Sequence, residues 1–310
     1  MNFSGPAAPG VLDGKAAAAA PDLTPWRGIV FFLAAWAVVP NMDVAAKLLG
    51  QWGYPVVMAV WARFAMSLII LSPALVIRPG IFRPPPDARM HVLRAVLLVA
   101  ATFGFFSGIQ TMPLADALAA YFVYPFLVTA LSPVFLGERP GWRRWTAVGF
   151  GFLGSLIVIR PSLDGLPAGT IYVLAAAFAF AGYNLLTRGL SRQADPWRTL
   201  AFQSLVGFAL TSLALPWFWR TPDISALALI ALMGVAATLG HYLLIRAYAL
   251  APAPVLAPFA YFEIIVAATL GFVVFGDFPD TWTWTGVSVI AASGIVIAVR
   301  ERRAPSDTQA

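Results

Sequence analysis

The sequence predicts an all-α polytopic membrane protein: ten transmembrane helices arranged as two inverted five-helix repeats. Three observations lead there. Of 310 residues, 60% are hydrophobic and only 11% charged, with a mean hydropathy of +0.80. A soluble domain carries about a quarter charged residues, so lipid must be the main solvent of this chain. Apolar stretches long enough to cross about 30 Å of hydrocarbon recur along it. Finally, a Gly-acid-x-Pro-x-x-x-x-Trp phrase occurs twice, as LGERPGWRRW at 136–145 and FGDFPDTWTW at 275–284, 139 positions apart.

In order, the apolar stretches cover 27–49, 55–77, 91–112, 115–136, 143–160, 169–188, 198–219, 224–246, 253–275 and 282–299. Breaker residues fill the gaps, as in RPGIFRPPPD at 78–87, RPSLDGLPAG at 160–169 and RTPD at 220–223. No stretch alternates polar and apolar residues over about ten positions, which excludes a transmembrane β-barrel. Residues 1–25 are rich in Ala, Pro and Gly and lack the basic start and apolar core of a signal peptide, so they read as a disordered tail, as does 301–310.

Ten spans put both termini on one side, and basic residues choose it. If the termini are cytoplasmic, that side receives fifteen: Lys15, Arg27, Arg78, Arg83, Arg89, Arg139, Arg143, Arg144, Arg188, Arg192, Arg198, Arg246, Arg300, Arg302 and Arg303. The opposite side receives three, Lys47, Arg160 and Arg220. The expected location is therefore a bacterial inner membrane with cytoplasmic termini. The net charge of +6 is an orientation signal and not a nucleic-acid footprint, because the basic residues lie between apolar runs. Cysteine is absent, which excludes disulfides, thiolate metal sites and cysteine nucleophiles.

The repeat extends beyond the phrase. A shift of 139 superposes Pro113 on Pro252, Thr146 on Thr285 and Gly154 on Ser293; a shift of 141 superposes Gly28 on Gly169, Asp43 on Asn184 and Lys47 on Arg188. The chain then divides into halves at 26–161 and 162–300, between the two tails. Five spans is an odd number, so the second half enters the membrane upside down, an arrangement associated with transporters. The repeated phrase joins the last two helices of each half. Glu138 and Asp277 precede a helix N-terminus there, where an acid is electrostatically favoured.

Two stretches carry a resemblance to a known family. ADALAAYFVYPFLVTALSPVFLGERPGWRRWTAVGFGFLGSLIVIRP at 115–161 and its echo APAPVLAPFAYFEIIVAATLGFVVFGDFPDTWTWTGVSVIAASGIVIAV at 251–299 share a small-residue start, a mid-helix Pro or aromatic, a terminal Gly-acid pair and a Gly-rich following helix. They resemble the module of the EamA-like family in the drug/metabolite transporter superfamily, over roughly residues 26 to 300. The resemblance implies a secondary transporter of a small organic metabolite working by alternating access, with amino acids or related amines favoured and export the expected direction. Drugs and nucleotide-type solutes are further cargo classes of that superfamily.

Ionisable groups inside a span cost several kcal/mol unless paired or facing water, so they are the first site candidates. Asp43 lies toward the outer end of the first span, Arg63 near the middle of the second and Glu263 at the centre of the ninth. His241 and Asn184 lie toward the cytoplasm. Lys47, one turn from Asp43, is placed to pair with it. Three readings stay open. Arg63 holds a carboxylate while Glu263 or Asp43 holds an ammonium, giving a zwitterion site; Arg63 makes a structural pair with one of those acids; or Glu263 is a proton-coupling carboxylate. The aromatic residues Trp36, Trp61, Tyr121, Tyr124, Tyr183 and Tyr261 fall at similar depth and suit a ring-bearing or cationic solute. Trp26, Trp52, Trp142, Trp145, Trp217, Trp219, Trp282 and Trp284 sit near span ends and read as interfacial anchors. Pro40, Pro125 and Pro258 fall inside spans as hinge candidates.

No cofactor and no metal is expected. The expected partners are a small organic solute, membrane lipid and, under the third reading, protons as coupling ion, with no nucleic acid and a monomer or homodimer as assembly. An intramembrane enzyme or a channel-like bundle is the rival class. The chain lacks a His-Glu-x-x-His motif, a Gly-x-Ser-x-Gly elbow and a phosphate-binding Gly-Lys-Ser/Thr loop, which argues against an enzyme and against ATP-driven transport.

Overall fold

The structure is a computed structural model and describes residues 25–78, 80–137, 141–159, 168–190, 195–251, 253–256, 259–260 and 262–303. Within these, the side chains at 25, 75, 143, 144, 147, 148, 159, 168, 253, 254, 290 and 294–303 are outside the description. Glu138, Arg139, Pro258, Tyr261 and the tail residues 1–24 and 304–310 likewise lie outside it.

Every predicted stretch falls on helix. The helices are α1 (Pro25–Gln51), α2 (Val56–Leu71), α3 (Ala74–Ile77), α4 (Ala88–Gly108), α5 (Leu114–Tyr121), α6 (Val123–Leu136), α7 (Trp142–Ile159), α8 (Ala168–Leu190), α9 (Pro196–Phe218), α10 (Ile224–Leu250), α11 (Ala253–Leu256), α12 (Phe262–Phe275) and α13 (Thr281–Arg303). By length and composition, six segments could cross a membrane unaided: α1, α4, the run Leu114–Leu136, α8, α9 and α10. Val56–Leu71, Gly149–Val158 and Phe262–Phe275 are apolar but shorter. α13 runs through Arg303, three residues past the expected span and tail boundary at 300, on good helix formers.

Three predicted spans are broken, each beside proline. The fourth divides at Phe122, because the ring of Pro125 clashes with the carbonyl four residues earlier, at Tyr121. Pro125 then occupies the first turn of α6, where its missing N–H is not needed. The second stretch divides at Ser72 and Pro73, and the ninth between α11 and α12. Pro40, by contrast, is carried inside a continuous α1. Asn41 follows it, donating through Nδ2 to the carbonyls of Ala37 (3.2 Å) and Val38 (3.0 Å). Gly137 and Gly276, matched by the 139 shift, both adopt the left-handed conformation that ends a helix, with φ of 67° and 72°.

Packing pairs helices from opposite ends of the chain. α1 lies along α10, α4 along α8, α2 along α9 and α7 along α13. The α1–α10, α4–α8 and α2–α9 pairs are antiparallel. Gly28 meets Ala251 while Gly240 meets Val39, and Gly108 meets Val173 while Gly182 meets Leu97. Gly207 lets the Phe64 ring approach so closely that an added Cβ would stand 2.6 Å from it. Small residues at such crossings are how membrane helices gain contact without a hydrophobic drive. The eight span-end tryptophans are all exposed, whereas Trp36 is buried, as expected of anchors facing lipid and its interface.

Candidate functional site

A narrow cavity lies among α1, α2, α4, α5, α8, α10 and α12. Trp36 and Asp43 come from α1, Arg63 from α2, Thr102 and Phe105 from α4, Tyr121 from α5, Phe180 from α8, His241 from α10 and Glu263 from α12. Among the described residues, none of its lining comes from α7 or α13, which pack on each other. Each polar member is buried: Asp43, Arg63, His241 and Glu263 expose 5% of their surface or less.

Arg63 does not form an ion pair with either acid. Its Nη1 donates to Thr102 Oγ1 and its Nη2 to His241 Nε2. A guanidinium only donates, so the His241 ring must accept at Nε2 and carry its proton on Nδ1. From there the network continues: Nδ1 lies 3.3 Å from Tyr183 Oη, and Tyr183 Oη lies 3.4 Å from Gln203 Oε1. Thr102 Oγ1 donates to the Leu98 carbonyl (2.8 Å), which leaves its lone pairs toward Arg63.

The acids are arranged differently. Asp43 lies within electrostatic reach of both Arg63 and Glu263, without a salt bridge to Arg63. Glu263 falls in the first turn of α12, instead of mid-helix as expected. The N-terminal dipole favours a carboxylate there. Its Oε2 nevertheless has no hydrogen-bond partner, and an unpartnered buried oxygen is costly in a membrane interior. The site thus combines one restrained cation with two carboxylates not tied to it.

Rings close the rest. Phe105 and Tyr121 stand 4.8 Å apart between centroids, Tyr121 and Phe180 5.4 Å, and Trp36 and Phe180 6.4 Å. Such faces accept flat rings by stacking and cations by cation–π attraction.

Six candidates therefore converge on one cavity: Arg63, Glu263, Asp43, His241, Trp36 and Tyr121. Others do not. Tyr124 and Tyr183 pack behind Phe180, at 5.0 and 5.5 Å. Trp61 donates to Ser212 Oγ (2.9 Å) and packs on Phe208 and Trp219, in the α2–α9 interface. Asn184 is buried outside the cavity lining, with both side-chain polar atoms unpartnered. Sequence reasoning missed Thr102 and Phe180. It also misplaced one partner. Lys47 turns from Asp43 to Asp277 Oδ2 (3.0 Å) and the Met112 carbonyl (3.2 Å), since these offer two acceptors at once. The side-chain cap at the start of α13 is Asp280, whose Oδ1 accepts from the Thr283 N–H (2.8 Å).

A buried polar cavity inside an apolar helical bundle defines a membrane protein that handles a small solute. The family model for the EamA-like transporter family matches residues 26–160 and again 167–299. The chain belongs to the EamA-like transporter family, and is an integral membrane transporter and not an enzyme. An S-adenosylmethionine uptake transporter of Rickettsia bellii is 27% identical over 279 residues, covering 90% of this chain and 96% of its own. A riboflavin transporter of Vibrio cholerae is 26% identical over 279 residues, covering 87% and 92%. A solved crystal structure superposes with a TM-score of 0.69 at 17% identity, over 90% of this chain and 97% of that one, which shows a shared fold.

Proposed function

We propose that the chain is a secondary transporter of a small organic metabolite that carries a cationic group, a carboxylate and a flat ring, with S-adenosylmethionine the leading member of that class. The observation that carries the reading is the cavity composition: Asp43 and Glu263 against a single Arg63, among Trp36, Tyr121 and Phe180. S-adenosylmethionine offers a sulfonium, an ammonium and a carboxylate to this set of groups. Arg63 would take the carboxylate, the two acids the sulfonium and ammonium, and the rings the adenine. Amino acids and amines, the cargo expected from sequence, satisfy only part of this set. Riboflavin has a ring but no cation for two carboxylates, so the names of the riboflavin relatives carry less weight.

The transport cycle is alternating access between two inverted halves at 26–161 and 162–300, spanning the inner membrane ten times with cytoplasmic termini. Its support is the pairing of α1 with α10 and α8 with α4, since exchange of the halves turns one pair into the other. The names of the relatives favour uptake over the export expected at first. Glu263 is also placed to couple protons, because its buried Oε2 has no hydrogen-bond partner.

The test is counterflow of labelled S-adenosylmethionine in liposomes holding the purified protein. Saturable exchange is expected, with Glu263→Gln and Asp43→Asn each weakening half-saturation about tenfold, the loss of one charge-assisted contact. Riboflavin should not compete. No exchange by the unmodified protein, or full competition by riboflavin, would overturn the substrate reading. If Glu263→Gln abolishes pH-driven uptake and keeps exchange, Glu263 is the coupling group.

A further inference from the structure

A second pocket lies one helical turn from the first. Lys47 follows Asp43 by four residues on α1, so the two stand about 6 Å apart along the axis on one face. Asp43 lines the central cavity, and Lys47 lines an open pocket of about 490 Å³ with Gln51, Gln110, Thr111, Phe275 and Asp277. The same helices serve both. α4 gives Phe105 to the first and leads to Gln110 at the second, while α12 carries Glu263 at the first and ends with Phe275 at the second.

On the wall of the second pocket, one turn of α1 beyond Asp43, stands the Lys47–Asp277 ion pair. Lys47 Nζ also donates to the Met112 carbonyl and lies 4.7 Å from the centre of the Phe275 ring. One ammonium thereby ties α1 to the α4–α5 turn and to the α12–α13 turn. The Lys47 side chain is 8% exposed and that of Asp277 34%, so the pair joins a buried ammonium to a carboxylate at the open pocket.

The opposite end of the bundle is built alike. Arg188, which the 141 shift matches to Lys47, lies near the C-terminus of α8. α8 is antiparallel to α4, whose own C-terminus adjoins the Lys47 pocket, so Arg188 is at the far end. It donates to the Tyr248 carbonyl in the last turn of α10 (3.2 Å), as Lys47 donates to the Met112 carbonyl just beyond α4.

We propose that Lys47 and Asp277 are gate residues of the transport cycle, their ion pair closing the end of the translocation path at the C-terminus of α1, with Arg188 the matching basic residue at the other end. This rests on the transport reading above. Opening separates the pair, and a zwitterionic solute entering there exchanges partners with both charges, leaving the local charge balanced.

The absence of cysteine makes the test direct. Ala101→Cys places a single thiol in the cavity lining of the full chain. A charged, membrane-impermeant methanethiosulfonate is then added outside intact cells and the labelling rate measured. Lys47→Ala, Asp277→Ala and the near-isosteric Asp277→Asn should each raise that rate about tenfold, by releasing the closed population. The charge swap Lys47→Asp with Asp277→Lys should return it toward the starting rate. An unchanged rate in Asp277→Asn and Lys47→Ala overturns the gate. Acceleration seen only in inverted vesicles supports the gate and overturns the orientation. Labelling needs no substrate, so failure of S-adenosylmethionine exchange leaves this measurement intact.

Discussion

His241 accepts a hydrogen bond from the guanidinium of Arg63, although both lie in a cavity that also holds two carboxylates. The arginine is therefore oriented by neutral groups, and neither acid is consumed in holding it. Replacing His241 by Gln keeps an acceptor near the same place, whereas Leu removes it. Half-saturation for a carboxylate-bearing substrate should rise about tenfold in His241→Leu and less in His241→Gln, since a lost charge-assisted hydrogen bond is worth about 1.5–3 kcal/mol. Equal effects of the two variants would show that the ring acts by packing alone.

Arg63 itself should be intolerant of its smaller homologue. Lysine is a point charge and cannot reach Thr102, His241 and a solute carboxylate at once. Exchange by Arg63→Lys should fall at least about tenfold in kcat/KM with the protein still folded, as judged by its thermal transition in detergent.

The ring wall makes a separate prediction. Phe180 contacts Trp36, Tyr121, Tyr124 and Tyr183, so Phe180→Ala removes the centre of the cluster. Binding of a ring-bearing solute should weaken by about 1 kcal/mol or more, while a ringless competitor such as methionine loses less. Competition measured on the same liposomes separates the two.

At the α4–α8 crossing, Gly104 faces backbone. A Cβ there would lie 2.8 Å from the Tyr172 carbonyl oxygen and 3.1 Å from the Ala176 side chain. Gly104→Val should lower stability by about 1–3 kcal/mol, seen as an earlier thermal transition. Gly149, with nothing within 4 Å, should accept alanine without a measurable change.

Which of these features sequence could reveal follows from how rare each residue type is in an apolar setting. Arg63, Asp43, Glu263 and His241 stood out because ionisable groups inside spans are few, and the structure brings all four together. Thr102 did not stand out: its hydroxyl bonds the carbonyl of the preceding turn, as threonines in any helix do, and only its position opposite Arg63 gives it a second partner. Phe180 is one of 23 phenylalanines and nothing local distinguishes it. Lys47 and Asp277 are 230 positions apart, so the nearer Asp43 was the natural partner on helix spacing alone. The break at Phe122 was foreshadowed by Pro125, but its exact residue depends on a clash with a carbonyl three-dimensionally fixed by the helix.

The four ionisable side chains of the cavity come two and two: Asp43 and Arg63 precede the 160–167 segment, His241 and Glu263 follow it. On the transport reading, neither stretch of chain owns the proposed recognition site, and cargo selection becomes a property of their junction. Two fragments made separately are then expected to be inert, with only their reassembly in one membrane restoring a place for a solute to bind.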